Sequence, residues 1–495
     1  MSARFITQSD HLLPPTKRLT QTACGTLAGL LAGLIYAALL TSQQISPMMN
    51  ATDLPGDSLF HLLLSAIVGG WFGLTLGERT ATVGGSLVWG INFGVLWWLV
   101  GPLTLFPLLN GVRPDWSVTT ARTAFPLLVG LSVTYGAFMG LLHWGLYKLV
   151  VNRRNLRVVR QRLLHTVQAS ISGGLSGLLG GWIFGMWMEQ TGFFPLVAGL
   201  VNSTDPGMGR SLHFGISVLI GVSYGILFQR DTRTIGTSIA WGLVYGLIWW
   251  ILGSLTLMPL LLGQGVQWSL AAAQSVFASL IGHLLYGITL GVAQAVLNQI
   301  WRTLFVDSDP LMREPEGPGT RGLRALGLGA VASIGGGLAF TTVMVATNAL
   351  PVIAGLMGMS GAIEGFIVHM GISVLIGAAY GLLFRHESTS SYAALAWGLV
   401  YGTVWWVLGP LTLMPSLLGS PLQWSLEAAS SNFPSLVGHL LYGVVLAFVY
   451  DRLLQRYDPR RANAAQTEIA PFAKAVPALW VLTLILLLFI VLLQM

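Results

Sequence analysis

"WGLVYGLIWWILGSLTLMP" (241–259) returns as "WGLVYGTVWWVLGPLTLMP" (397–415), and more distantly as "WGINFGVLWWLVGPLTLFP" (89–107). Each stretch is an apolar run of helix-spanning length. Such runs cross a hydrocarbon core of about 30 Å when roughly 20 residues long. Working outward, residues 213–283 map onto 369–439 at a constant shift of 156 without a gap. "HFGISVLIGVSYG" (213–225) becomes "HMGISVLIGAAYG" (369–381), and "QWSL" (267–270) and "GHLLYG" (282–287) reappear at 423–426 and 438–443. A third copy lies upstream, offset by 152 over most of this span: "HLLLSAIVGGWFG" (61–73) and "DWSV" (115–118). A period shared by three segments makes the repeat the unit of interpretation.

Composition agrees. Of 495 residues, 54% are hydrophobic and 9% charged, and the mean hydropathy is +0.71. Soluble domains carry about 25% charged residues, so a polytopic membrane protein is expected. The fold expected is all-α: a transmembrane helix bundle of three parallel four-helix repeats plus one C-terminal helix, thirteen spans in all. The spans fall near 21–42, 59–77, 83–107 and 125–148, then 168–188, 211–228, 236–259 and 277–298. The last repeat has 324–346, 367–384, 392–415 and 433–450, and "VPALWVLTLILLLFIVLLQ" (476–494) closes the chain. Four spans return the chain to the same side, so the copies are parallel, which implies a pseudo-threefold arrangement about an axis normal to the membrane. The organisation expected is a tail (1–20), repeat one (21–150), repeat two with a basic linker (151–300), and a polar linker (301–323). Repeat three (324–455) is followed by a linker and the final helix (456–495).

Orientation is read from the basic residues. Net charge is +7, and Lys and Arg concentrate in connections such as "VVNRRNLRVVRQR" (150–162) and "RLLQRYDPRR" (452–461). Of 25 such residues, only Arg113, Arg122 and Arg210 fall outside when the N-terminus is cytoplasmic and the C-terminus outside. That is the charge bias of cytoplasmic loops and not of a nucleic-acid-binding face. The N-terminal segment is too polar for a cleavable signal peptide. The single cysteine, Cys24, excludes an intrachain disulfide and Cys-based zinc or iron–sulfur sites.

The first span of each repeat carries a small residue every four positions: Gly25, Gly29 and Gly33; Gly173, Gly177 and Gly181; Gly329, Ser333 and Gly337. That spacing makes a groove for close helix approach in lipid. The second span sets His213, Ser217, Gly221, Tyr224 and Gly225 on one face, matched by His369, Ser373, Gly377, Tyr380 and Gly381, and by His61, Ser65 and Phe72. The fourth span adds His283 with Tyr286 and His439 with Tyr442, where the first copy reads "GLSVTYG" and has no histidine. Trp241, Tyr245 and Trp249 line the third span, and Trp116, Trp268 and Trp424 fall in the following loop as expected interfacial anchors.

Intramembrane ionisable groups are functional candidates, the competing reading being helix-to-helix hydrogen bonding. His213 and His283 lie about 25–28 Å above the basic boundary at about 1.5 Å per residue, so they fit one level. The second histidine of the last copy fits less well. Asp57, Asp205 and Glu364 precede the second spans, where a proton or cation site or solvated loop acids are the alternatives. No phosphate loop, HExxH or G-x-S-x-G motif occurs.

One unit resembles the YagU-like family of bacterial inner-membrane proteins. The resemblance rests on the order of a Gly-rich span, a histidine opening the second, "LTLMP" closing the third, a loop Trp (Trp268, Trp424), and "GHLLYG". It implies a threefold tandem version of that family's fold in the bacterial inner membrane and supplies no mechanism. Three functions remain open. One is small-solute or proton transport along the His and Tyr stripes, or a membrane-stress role. Another is a structural or accessory subunit of a membrane complex. The third is haem ligated axially by His213 with His283 and His369 with His439.

Overall fold

A helix has to satisfy its own backbone to cross lipid, and every long element found here is helical. The computed structural model describes residues 15–42, 57–151, 157–305 and 318–457, save Ala81, Arg233, His386 and 388–390. The closing apolar segment 476–494 and most of the polar linker lie outside the described residues, as do the side chains of the basic linker 151–162. Among the described residues there is no strand.

The long helices are α1 (Pro15–Ser42), α2 (Asp57–Leu76), α3 (Val83–Leu109) and α4 (Phe125–Val150). They are followed by α5 (Arg157–Gln190), α6 (Pro206–Phe228), α7 (Ile235–Leu261) and α8 (Phe277–Phe305). The last four are α9 (Pro318–Ala346), α10 (Ala362–Phe384), α11 (Ala393–Leu417) and α12 (Phe433–Tyr457). Among the described residues, eleven helices are long and apolar enough to cross a membrane. The expected span 168–188 lies inside α5, which is not one of the eleven, because "SISGGLSGLLGG" (170–181) trades apolar side chains for Gly and Ser.

The chain forms two compact units, Met1–His165 with Trp268–Leu270, and Thr166–Gln267 with Ala271–Met495. In the first, α1 packs against α2 and α4, and α4 against α3. In the second, α9 packs against α10 and α12, and α12 against α11; α5 likewise meets α6 and α8, and α8 meets α7. Glycine makes these contacts close. A methyl on Gly173 would run into the Gly221 carbonyl, one on Gly25 into the Gly69 carbonyl, and one on Gly242 into the Gly287 carbonyl. Without a hydrophobic driving force between helices in lipid, such backbone approach supplies the dispersion contact that holds them.

The buried face of α6 is Gly209, His213, Ser217, Gly221, Tyr224, Gly225 and Phe228, and that of α10 is Gly365, His369, Ser373, Gly377, Tyr380, Gly381 and Phe384. The opposite faces are apolar and open: Leu219 is 70% exposed and Leu375 72%. These faces suit a lipid bilayer.

Each third helix widens into a π-helical turn: Gly101–Leu105, Trp250–Leu257 and Gly409–Leu413. In two of them Pro follows Gly, so the missing N–H and the ring clash with the preceding turn account for the widening. A threonine repairs the ladder in all three. Thr104 donates to the Leu99 carbonyl, Thr256 to Ile251 and Thr412 to Val407, each at 2.8–2.9 Å and five residues back.

Candidate functional site

In α5–α8 the candidate residues converge on one aromatic ring. His213 on α6 donates its Nε2–H to the Gly181 carbonyl of α5 at 2.8 Å. Gly181 must be bare there, since a methyl would meet the Ser217 hydroxyl. One turn further along α5, Phe184 packs edge-on against both His213 (5.7 Å between centroids) and His283 of α8 (4.8 Å). The ring lies over Gly282, where a methyl would collide with it. His283 donates Nδ1–H to the Ser279 carbonyl at 2.7 Å, which fixes its tautomer and leaves Nε2 as an acceptor beside Gly253 of the π-turn.

The corresponding contacts in α9–α12 are His369 to the Gly337 carbonyl (3.1 Å), and Phe340 against His369 (5.2 Å) and His439 (4.6 Å). His439 donates to the Ser435 carbonyl at 2.7 Å. In α1–α4 His61 reaches the Gly33 carbonyl at 3.3 Å, and Tyr36 takes the phenylalanine's place, 6.1 Å from His61.

The tyrosines of the stripes are hydrogen-bonded across helices as well. Tyr286 donates to the Ser217 carbonyl and Tyr442 to the Ser373 carbonyl, both at 2.7 Å. Tyr224 donates to the Ser238 carbonyl at 3.0 Å, and Tyr401 to Ile376 at 2.7 Å. Tyr380 is buried, and its hydroxyl has no partner among the described residues. These donors fasten α6 to α7 and α8, and α10 to α11 and α12, along edges that glycine contacts do not close.

This geometry does not suit axial haem ligation. Phe184 and Phe340 each occupy the ground between two imidazoles that a porphyrin plane would need, and Nε2 of His213 and His369 is already committed to a carbonyl. No group of three His, Cys, Asp or Glu that could hold a metal occurs among the described residues. Asp205 caps α6, accepting from the Gly207 and Met208 amides (3.2 and 2.9 Å), and Glu364 sits in the first turn of α10, where a negative charge complements the helix dipole. The Asp57 side chain lies outside the described residues.

Three features were not anticipated from the sequence. The first is the register of α4: "GLSVTYG" (130–136) is one residue longer between Gly and Tyr than "GHLLYG", and the excess is taken up as a π-helical stretch, Gly130–Gly136. Tyr135 thereby regains the position of Tyr286 and donates to the Ser65 carbonyl at 2.9 Å. The second is His143, fully buried on α4, with Nδ1 3.2 Å from the Thr80 hydroxyl and Nε2 3.3 Å from the Gln21 carbonyl. Gln294 of α8, bonded to Ser172 at 2.9 Å, and Tyr450 of α12, bonded to the Gly381 carbonyl at 3.1 Å, are also buried donors near the same end of their fourth helices. The third is the second Trp of each "WW" pair. Trp98, Trp250 and Trp406 are buried and donate to the Ala124, Val276 and Asn432 carbonyls at 2.9–3.1 Å, just before the fourth helix.

The loop tryptophans divide. Trp116 is 66% exposed, as an interfacial anchor would be, whereas Trp268 and Trp424 are buried. Trp424 packs tilted against Trp187 of α5, 5.6 Å between centroids, and donates to Thr412 of the π-turn at 3.0 Å.

Comparison with known protein families, with characterised proteins and with solved structures finds no match.

Proposed function

We propose that the protein is a structural or accessory component of a membrane complex, built from close-packed four-helix blocks. One observation carries this: five histidines and tyrosines of the polar stripes are spent on fastening helices to one another. His213, His369, Tyr224, Tyr286 and Tyr442 each donate to a backbone carbonyl of a neighbouring helix. A conduit for protons or solutes would need such groups turned toward a shared open path. In this reading the blocks are tandem copies of a YagU-like unit in a bacterial inner membrane. The N-terminus is cytoplasmic, the copies are grouped about a pseudo-threefold axis, and the thirteenth helix is a docking element for partner proteins.

A second reading, small-solute or proton transport or a membrane-stress role, draws on one observation. His283 and His439 are only partly buried, and their acceptor nitrogens lie 3.8 and 3.6 Å from where a methyl on the π-turn residues Gly253 and Gly409 would stand. Reconstitution into liposomes with an internal pH dye separates the two. The structural role predicts flux equal to empty vesicles, together with discrete protein adducts when a photo-crosslinker replaces Trp182 on the open face of α5 in native membranes. Proton flux lost in His283→Ala plus His439→Ala, with only lipid adducts, would overturn it.

A further inference from the structure

The end of α10 touches the start of α7, far away in the chain, through a buried carboxylate. After Phe384 the chain turns back, with the Glu387 amide donating to the Phe384 carbonyl at 2.9 Å. The turn sends the Glu387 side chain onto Thr234, the residue that caps α7. Thr234 Oγ1 accepts from the Thr237 amide at 3.1 Å, and the Thr237 hydroxyl accepts from the Thr234 amide at 3.1 Å. That leaves the Thr234 hydroxyl hydrogen free for Glu387 Oε1, and the two are in close hydrogen-bond contact. Glu387 is 3% exposed.

The backbones meet closely beside this contact. A methyl on Gly236 would come within 2.9 Å of the Phe384 ring, 3.0 Å of Glu387 Cγ and 3.0 Å of the Leu383 carbonyl. One turn on, Ala240 is buried in the same apolar cluster as Phe384, Tyr380, Trp397 and Tyr401. The seam is thus apolar apart from the Glu387 carboxyl and the hydroxyls of Thr234, Thr237 and Tyr380. Of the groups facing it, α7 contributes Thr234 and Thr237 and no charge. α10 contributes the Tyr380 phenol, which feels the charges of both Glu387 and Asp451 of α12. Arg385 lies two residues before Glu387 in the chain, and Arg233 and His386, the sequence neighbours of Thr234 and Glu387, lie outside the described residues.

We propose that Glu387 is an acid-tightened latch: protonated, it holds the α7–α10 seam closed, and ionised, it loosens it. Burial pushes its carboxyl up from 4.5 to about 7, and the Thr234 hydroxyl pulls it part of the way back. The sign follows from linkage. A carboxyl whose folded value is raised keeps its proton in the closed state after an opened one has lost it. The seam is therefore firmest below about 4.5, weakens as pH rises toward about 7, and changes no further above that. Cytoplasm-like pH lies at the weak end of this window, so acidification is the signal that closes the seam. The inference concerns only this seam and holds whether or not the spans conduct.

Hydrogen exchange of peptides covering 228–240 and 384–394, on the full chain in lipid nanodiscs, tests it, with each pH normalised to an unstructured peptide. Protection is expected to fall by up to about tenfold per pH unit between pH 5 and 7 and then level off. Glu387→Gln should abolish the dependence and stay protected throughout. Thr234→Val, which removes the hydroxyl that favours the ionised form, should move the midpoint to higher pH. Arg233→Gln and His386→Gln should leave a fall of the same sign. A flat profile in the native chain, the same fall in Glu387→Gln, or an unmoved midpoint in Thr234→Val would each overturn the latch.

Discussion

Tyr286 and Ser217, 69 residues apart, share a 2.7 Å hydrogen bond in which the phenol donates to a helical carbonyl. The carbonyl belongs to a helix that satisfies its own backbone, so the phenol adds a tie without being required for the span. Interhelical bonds of this kind in membrane proteins contribute about 0.6 kcal/mol on average and up to about 1.7. Tyr286→Phe, Tyr442→Phe and Tyr135→Phe are each expected to lower stability within that range, measured by reversible unfolding in mixed micelles. The ring stays packed in every case. A loss of several kcal/mol would mean that the hydroxyl holds something besides the carbonyl.

Glycine contacts are less forgiving. A methyl on Gly177 would meet the Ser217 carbonyl and, at 2.8 Å, the Gly221 Cα, both backbone and unable to turn aside. Gly177→Ala is expected to cost about 1–3 kcal/mol, the range for overpacking a filled interior. Gly371, also helical, has nothing within 4 Å of such a methyl. Gly371→Ala is expected to be neutral or slightly stabilising, since Gly inside a helix is worth about 0.5–1 kcal/mol less than Ala. Equal effects of the two in the same unfolding assay would remove close helix approach as the source of cohesion.

How far the sequence reveals this can be argued from the second helices. The offsets of His213, Ser217, Gly221, Tyr224 and Gly225 place them on one face, and that face is the buried one. Helical periodicity depends only on local geometry, so it survives without knowledge of the neighbours. Partners do not follow from periodicity. Phe184 lies in an apolar run like any other, and nothing local says that its ring will separate two histidines 70 positions apart. The π-helical stretch of α4 is legible only as a one-residue difference in length, because a single inserted residue shifts every later side chain by about 100° unless the helix widens. The places along α8 and α12 that correspond to His143 on α4 hold Gln294 and Tyr450, so matching letters misses a buried donor present in all three helices.

Phe184 gives the sharpest test of the histidine arrangement. Its ring packs on His213, His283 and Gly282 at once, so Phe184→Ala opens a cavity that rigid helices cannot close. A cost of about 3–5 kcal/mol is expected, the range for burying no ring where a Phe was. The native protein incubated with ferric haem is expected to show no bis-imidazole absorption spectrum. Its appearance, and its loss in His283→Ala plus His439→Ala, would mean that Phe184 and Phe340 yield to a macrocycle.

The loop after α3 carries an acid dependence of its own. Asp115 accepts from the Thr120 hydroxyl and from the Ser117 amide and hydroxyl, both at 2.9 Å for Ser117, and these bonds hold its carboxyl below the ordinary 3.8. A depressed carboxylate lends its support above the ordinary value and withdraws it as pH falls through the lowered one. Asp115 is exposed, so the effect is local to the turn that starts Val118–Thr123. Gln267 and Gln423 hold the matching places in the other two loops and cannot titrate. Amide exchange in 113–124 is therefore expected to quicken, relative to an unstructured peptide, once pH drops below about 3.8, while 265–276 and 421–432 stay level. Asp115→Asn should bring the first loop to the quickened state at neutral pH, because an amide accepts these donors more weakly than a carboxylate. If all three loops quicken together, the acid response comes from the bundle, and the Asp115 bonds have no part in it.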